Sequence, residues 1–76
     1  MKKVILPELG EGIEEATISF WHFSKGDRIN KGDDLVELTT DKAMFNVPSP
    51  ESGVIKKIIY LEGDTVRVGD VLAELE

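Results

Sequence analysis

Five short runs carry most of the apolar residues of the chain: ATISFWHF (16–23), DLVELTT (34–40), AMFNV (43–47), GVIKKIIYL (53–61) and DVLAEL (70–75). They are rich in β-branched and aromatic side chains, and most are too short for a helical turn pattern to repeat. Between them stand KGD, KGDD, PSPESG, EGD and VGD, where glycine, proline and aspartate supply turn chemistry. No stretch sustains the apolar stripe that an ordinary helix needs. The pattern predicts an all-β protein of many short strands. In the first run Trp21 and Phe23 share one strand face and serve as core, whereas Phe20 and His22 point to the other.

A shift of 37 positions brings the chain onto itself. Ile18 meets Ile55, Gly26 meets Gly63, Asp27 meets Asp64, Gly32 meets Gly69, Asp33 meets Asp70, Leu35 meets Leu72, Glu37 meets Glu74 and Leu38 meets Leu75. The two glycine–aspartate pairs keep the same spacing in both copies and the same offset from the apolar positions. Residues 15–38 and 52–75 therefore read as two copies of one strand-turn-strand unit that pack their apolar faces together. The expected architecture is a flattened barrel or sandwich of two small antiparallel sheets related by a pseudo-twofold axis, each half giving strands to both sheets. Under that dyad the segment joining the copies, 39–51, corresponds to the two chain ends. Lys42 is then expected at a hairpin tip at the opposite end of the body from both termini, on a rigid support.

Composition narrows the chemistry. A chain of 76 residues makes one small domain, and at this size folding buries only about 60% of the unfolded surface, which leaves no room for a deep catalytic cavity. Without cysteine there is no disulfide framework, thiolate metal site or thiol nucleophile. His22, the single histidine, cannot form a multi-histidine metal site. The formal charge of −6 is spread along the chain and repels nucleic-acid backbones. The opening MKKVILPELG is too short in apolar residues for a secretion signal or a membrane span, so the expected setting is the cytoplasm, or the mitochondrial matrix in a eukaryote, although no transit peptide is visible. The run DRINKGDDLVEL (27–38) has calcium-loop spacing, but Ile29 and Lys31 occupy oxygen-ligand positions and Leu38 stands where a bidentate glutamate is required. Gly10 and Gly12 lack the third glycine and the helix of a dinucleotide site, and the serines have no histidine partner that the sequence places near them.

Three stretches in order carry a family resemblance: LPELGEGIEEATI (6–18), TTDKA (39–43) and VPSPESGVI (47–55). With these the chain, from about Val4 to Glu76, resembles a lipoyl domain of the dihydrolipoyl acyltransferase component of a 2-oxo acid dehydrogenase complex, within the biotinyl/lipoyl-attachment family. The resemblance implies that Lys42, flanked by Asp41 and Ala43, carries lipoic acid as an amide, and that residues 1–76 form one non-catalytic carrier domain. The implied partners are a lipoate-attaching enzyme, the 2-oxo acid decarboxylase component, the acyltransferase catalytic domain and dihydrolipoyl dehydrogenase. No nucleic acid or membrane partner is expected, and the isolated domain is expected to be a monomer excised from a longer acyltransferase chain.

The resemblance also implies roles around the lysine. Asp41 and Ala43 fix the turn, and the loop carrying Glu8, Glu11, Glu14 and Glu15 lies near it and helps the decarboxylase choose its own domain. Gly26 and Gly53 match family glycines that bear on how the attaching enzyme sees the turn; a backbone conformation that only glycine adopts cheaply explains each equally well. The chain departs from the family at Thr39, where glutamate is common, at Ala16, where glycine is usual, and at Met44, Phe45 and Asn46. A biotin carrier shares the folded plan, but its lysine stands between two methionines, and Met44 is one residue too late. An oligonucleotide-binding barrel stacking bases on Phe20, Trp21 and Phe23 is the remote alternative, opposed by the acidic charge.

Overall fold

The computed structural model describes residues 2–76, which fold into eight strands: β1 (Lys2–Ile5), β2 (Glu15–Trp21), β3 (Arg28–Ile29), β4 (Asp34–Thr39), β5 (Met44–Pro48), β6 (Gly53–Ile58), β7 (Thr65–Arg67) and β8 (Val71–Leu75). They form two four-stranded antiparallel sheets, ordered β1-β8-β6-β3 and β5-β4-β2-β7. The repeat is realised in full. Strands β2, β3 and β4 have their counterparts in β6, β7 and β8, and each half of the chain gives two strands to each sheet.

The recurring glycine–aspartate pairs explain why the chain turns where it does. In the first pair the Asp27 N–H donates to the Ser24 carbonyl at 3.0 Å, while the Ser24 N–H donates back to the Asp27 carboxylate at 2.8 Å. Leu61 and Asp64 repeat both bonds, at 3.0 and 2.8 Å. Gly26 and Gly63 sit at φ +94° and +95°, where an L side chain is strained, so these tight turns require glycine. Each glycine then ties the turn to the other copy: the Gly26 N–H donates to the Ile55 carbonyl at 2.7 Å, and Gly63 does the same to Ile18 at 2.8 Å.

The inward face of both sheets is apolar and closed. Ile18, Leu35, Leu38, Ile55, Val66, Leu72 and Leu75 are buried, so corresponding positions of the two copies meet in one core. Trp21 and Phe23 pack against its rim, with the Trp21 indole N–H donating to the Tyr60 carbonyl at 3.0 Å. Phe20 lies on the outer face beside His22.

Several boundaries differ from the sequence pattern. β1, β3 and β7 are absent from the expected runs: two of them have only two or three residues, too few to show alternation, and β1 ends just ahead of Pro7. The first and fourth runs end early as strands, at Trp21 and Ile58. Beyond them, apolar residues such as Phe23 and Tyr60 pack against the core from turns. The expectation of a glycine-only backbone holds at Gly26 and fails at Gly53, whose φ is not positive. Gly53 is needed for space: a Cβ there would stand 2.7 Å from the Glu76 carbonyl oxygen. That approach belongs to the anchoring of the chain end, where Val54 and Glu76 exchange backbone bonds of 3.0 and 2.9 Å. The Lys56 ammonium, 2.8 Å from the Glu76 carboxylate, holds that carboxyl below its usual pKa by hydrogen bond and charge. This pairing is complete above the ordinary glutamate range and is lost as pH falls through the lowered value.

The dyad is broken in one loop. Leu6 and Ser49 make equivalent bonds, Leu6 to Asp70 and Gly69, Ser49 to Asp33 and Gly32. Ala16 and Gly53 are equivalent through the repeat. From Leu6 to Ala16 the chain takes ten steps and from Ser49 to Gly53 only four, so the loop between β1 and β2 holds six extra residues.

Two substitutions test this account of the packing. Gly53→Ala drives a Cβ into backbone and should lower unfolding free energy by about 1–3 kcal/mol. Ile55→Ala empties a fully buried site and should cost about 2–5 kcal/mol. Denaturant unfolding of each variant measures both losses.

Candidate functional site

Lys42 lies in the connection between β4 and β5, with Thr40, Asp41 and Ala43. Thr39 pairs with Met44, and the Thr40 N–H donates to the Ala43 carbonyl at 2.8 Å, which leaves Asp41 and Lys42 as a two-residue tip. Short hairpins favour turns with positive φ; Asp41 and Lys42 both keep negative φ. The Thr40 side chain makes this possible. Its hydroxyl accepts the Ala43 N–H at 3.0 Å and the Lys42 N–H at 3.2 Å, and donates to the Ala43 carbonyl at 2.9 Å. One hydroxyl thus satisfies the groups that a mismatched turn would leave open.

Asp41, Lys42, Ala43 and Met44 are all exposed. Among the described residues the ion pairs join Lys56 to Glu76 and Arg67 to Glu15, so no carboxylate lies within 4.0 Å of the Lys42 amine. The other end of the β4–β5 hairpin meets different chemistry: Ser49 exchanges backbone bonds with Gly32 and Asp33, and Ser52 accepts from Lys31 and, through its carbonyl, from the Lys2 amine. The full length of two paired strands separates that end from Lys42.

The long β1–β2 loop comes up beside the lysine. Gly12 stands at φ +79°, and the Lys42 Nζ lies 3.7 Å from the point where its Cβ would be. A tight turn, closed by the Ile13 N–H on the Gly10 carbonyl at 3.2 Å, shapes this part of the loop. With Arg67 and Val68 of the β7 turn, Glu8, Glu11 and Glu14 line an open cleft of about 640 Å³. Glu15 is placed differently: it belongs to β2 and pairs with Arg67 at 3.4 Å.

Of the residues singled out by sequence, Lys42 meets the acidic loop at Gly12, while Glu8, Glu11 and Glu14 gather at the cleft beside Arg67 and Val68. Gly26 and Gly53 do not join them: they lie on the β3–β6 edge of the other sheet, where Ile29 pairs with Gly53. Thr40, the hub of the turn, lies outside the recognisable motif that its neighbours Asp41 and Ala43 form with Lys42. A hydroxyl two and three residues ahead of the N–H groups it accepts was the available signal. On the outer face of the sheet Thr39 hydrogen-bonds Ser19, and His22 Nε2 lies 2.9 Å from Asn46 Oδ1.

Two interleaved halves presenting an exposed lysine on a fixed hairpin define a small all-β carrier-type body. The chain belongs to the biotin/lipoyl family, whose model, described as "Biotin-requiring enzyme", matches residues 2–75. It is 47% identical over 73 residues to the dihydrolipoyllysine-residue succinyltransferase component of the 2-oxoglutarate dehydrogenase complex of Staphylococcus saprophyticus, covering 96% of this chain and 17% of that one. It is 38% identical over 76 residues to the lipoamide acyltransferase component of the branched-chain alpha-keto acid dehydrogenase complex of Bacillus subtilis, covering 100% of this chain and 18% of that one. The chain thus spans under a fifth of the length of these curated relatives. In solved structures it is similar to the lipoyl domain of the 2-oxoglutarate dehydrogenase complex from Azotobacter vinelandii, at TM-score 0.77 and 32% identity, covering 100% of this chain and 96% of that one. It shares the fold of part of the Kluyveromyces lactis urea carboxylase, at TM-score 0.66 and 24% identity, over 100% of this chain and 7% of that one.

Thr40→Ala should leave the core folded, cost about 1 kcal/mol, and speed hydrogen exchange at the Lys42 and Ala43 amides. Thr40→Ser should retain wild-type protection, which amide exchange followed by NMR would show.

Proposed function

We propose that this chain is a lipoyl carrier domain, with lipoic acid joined through an amide to Nζ of Lys42. The observation that carries the reading is an exposed amine, free of carboxylate partners, on the two-residue tip of a hairpin braced by Thr40. Attachment requires the amine nitrogen to attack the activated carboxyl carbon of lipoate: the C–N bond forms, the activating group leaves with its electron pair, and the nitrogen loses a proton. The chain supports this chemistry by holding the backbone of the tip still while leaving the lysine exposed. Once attached, the dithiolane supplies the disulfide that accepts an acyl group and a pair of electrons. The domain itself contributes reach, orientation and recognition.

The parent chain is then a dihydrolipoyl acyltransferase. Its carrier domain serves a 2-oxo acid decarboxylase, passes the acyl group to an acyltransferase domain, and is reoxidised through dihydrolipoyl dehydrogenase. The similar chains named above are components of complexes acting on 2-oxo acids, which supports lipoate over biotin. So does the sequence at the tip, where Asp41 and Ala43 replace the paired methionines of biotin carriers. Partner choice falls to the loop beside the lysine, whose Glu8, Glu11 and Glu14 favour a basic entrance.

Incubation with lipoate, ATP and a lipoate-attaching enzyme should add one lipoyl mass, mapped by fragmentation to Lys42 and lost in Lys42→Ala. Biotin with its ligase should add nothing. Modification by biotin alone, or of another lysine, would overturn the reading. Replacing Glu8, Glu11 and Glu14 together by glutamine should slow reductive acylation by a cognate decarboxylase about tenfold at low salt, with the difference shrinking as salt rises.

A further inference from the structure

We infer that Gly12 is a positioning residue for acylation of Lys42, an inference that rests on the carrier reading and names how access to its amine is kept. The loop meets the tip of the lysine with bare backbone. Lys42 Nζ is the one atom beyond the adjacent residues that lies within 4 Å of a Cβ built on Gly12, at 3.7 Å. A methyl group would therefore just touch the amine, and any longer side chain would extend into the space around it. The attacking nitrogen needs that space. As the amide forms, the acyl carbon must come up to Nζ on the line of its lone pair, and the departing group must clear the same region. Six residues of this loop are extra to the pseudo-symmetric body, so the contact belongs to the segment that breaks the dyad and not to the packing of the two halves.

Gly12 also has a conformational claim, at φ +79°, and the two explanations rank substitutions in opposite order. Asparagine tolerates the left-handed region better than alanine. If backbone strain is all that matters, Gly12→Ala must be the worse variant in every assay. If the clearance over Nζ matters, Gly12→Asn must be the worse in acylation, because its side chain reaches past Cβ. Gly63→Asn, at φ +95° with open space around it, supplies the control for an asparagine at positive φ away from the lysine.

The test measures two rates at Lys42 by fragment mass spectrometry in the four proteins: attachment of lipoate by a lipoate-attaching enzyme, and acetylation by a small activated acetate ester, with Lys25 and Lys31 as internal standards. Thermal unfolding is recorded alongside. We expect Gly12→Asn to slow enzymatic attachment by about tenfold or more, given how steeply rates fall with ångström-scale misplacement, and to slow acetylation of Lys42 severalfold against the standards. Gly12→Ala should fall between Gly12→Asn and wild type in both rates, although it unfolds at the lower temperature of the two variants. Gly63→Asn should match wild type in both rates, whatever its unfolding temperature. Rates that follow the thermal ranking, or enzymatic slowing with unchanged acetylation, overturn the inference. Absence of lipoylation in the wild type would sink the carrier reading instead, and the acetylation rates would still decide the role of Gly12.

Discussion

Each half of this chain lays its first and third strands in one sheet and its second and fourth in the other, so neither sheet exists until both halves are present. The bonds that tie the halves together are reciprocal, Gly26 to Ile55 and Gly63 to Ile18, and they start from turns closed by the same aspartate carboxylates. Everything else depends on this interleaving. In so small a protein the buried surface is limited, and a core built from both halves lets Ile18, Leu35, Leu38 and their counterparts act as one cluster. The pairings are distant in sequence, so the order of the hairpin at Lys42 is inherited from the whole body and not from its local turn residues alone.

The same symmetry shows what the lysine tip is. The dyad relates β4 and β5 to β8 and β1, which also lie side by side. In one sheet the pair is joined by the turn at 40–43; in the other the corresponding pair ends in the two termini, with Lys2 opposite Leu75. The loops beside these ends differ as well. The short one, at 49–52, binds Lys2 and Lys31, while the long one brings Gly12 to Lys42. The extra chain lies in the loop that meets the projecting amine.

Much of this was written in the pattern of the chain. The 37-residue repeat predicted the layered sheets and the exchange of strands because glycine–aspartate turns are chemically stringent: φ near +94° at Gly26 and a carboxylate at Asp27 leave few substitutes. Strands β3 and β7 were not legible, since two or three residues pair without making a period. The conformational reading of Gly53 fails for a related reason. Its need is for room beside Glu76, 23 residues further on, and a distant close approach leaves no local mark. Thr40 was hidden by its neighbours: a motif of Asp, Lys and Ala draws the eye to the residues around the amine, while the hydrogen bonds that hold the tip converge one residue earlier.

Lipoyl and biotin carriers share one body, so the body cannot be what an attaching enzyme distinguishes. What differs must lie within reach of the amine. Here that neighbourhood consists of a tip with negative φ at Asp41 and Lys42, a hydroxyl at Thr40 fixing its shape, and the bare backbone of Gly12 beside the amine. Thr39 stands where a glutamate is common in lipoyl domains, yet its hydroxyl is turned to Ser19 across the sheet and takes no part in closing the tip. The turn therefore keeps its geometry without that carboxylate. On the proposed carrier reading, shape at the tip and clearance above it, more than charge at position 39, are the properties by which an attaching enzyme would select this lysine from its exposed neighbours.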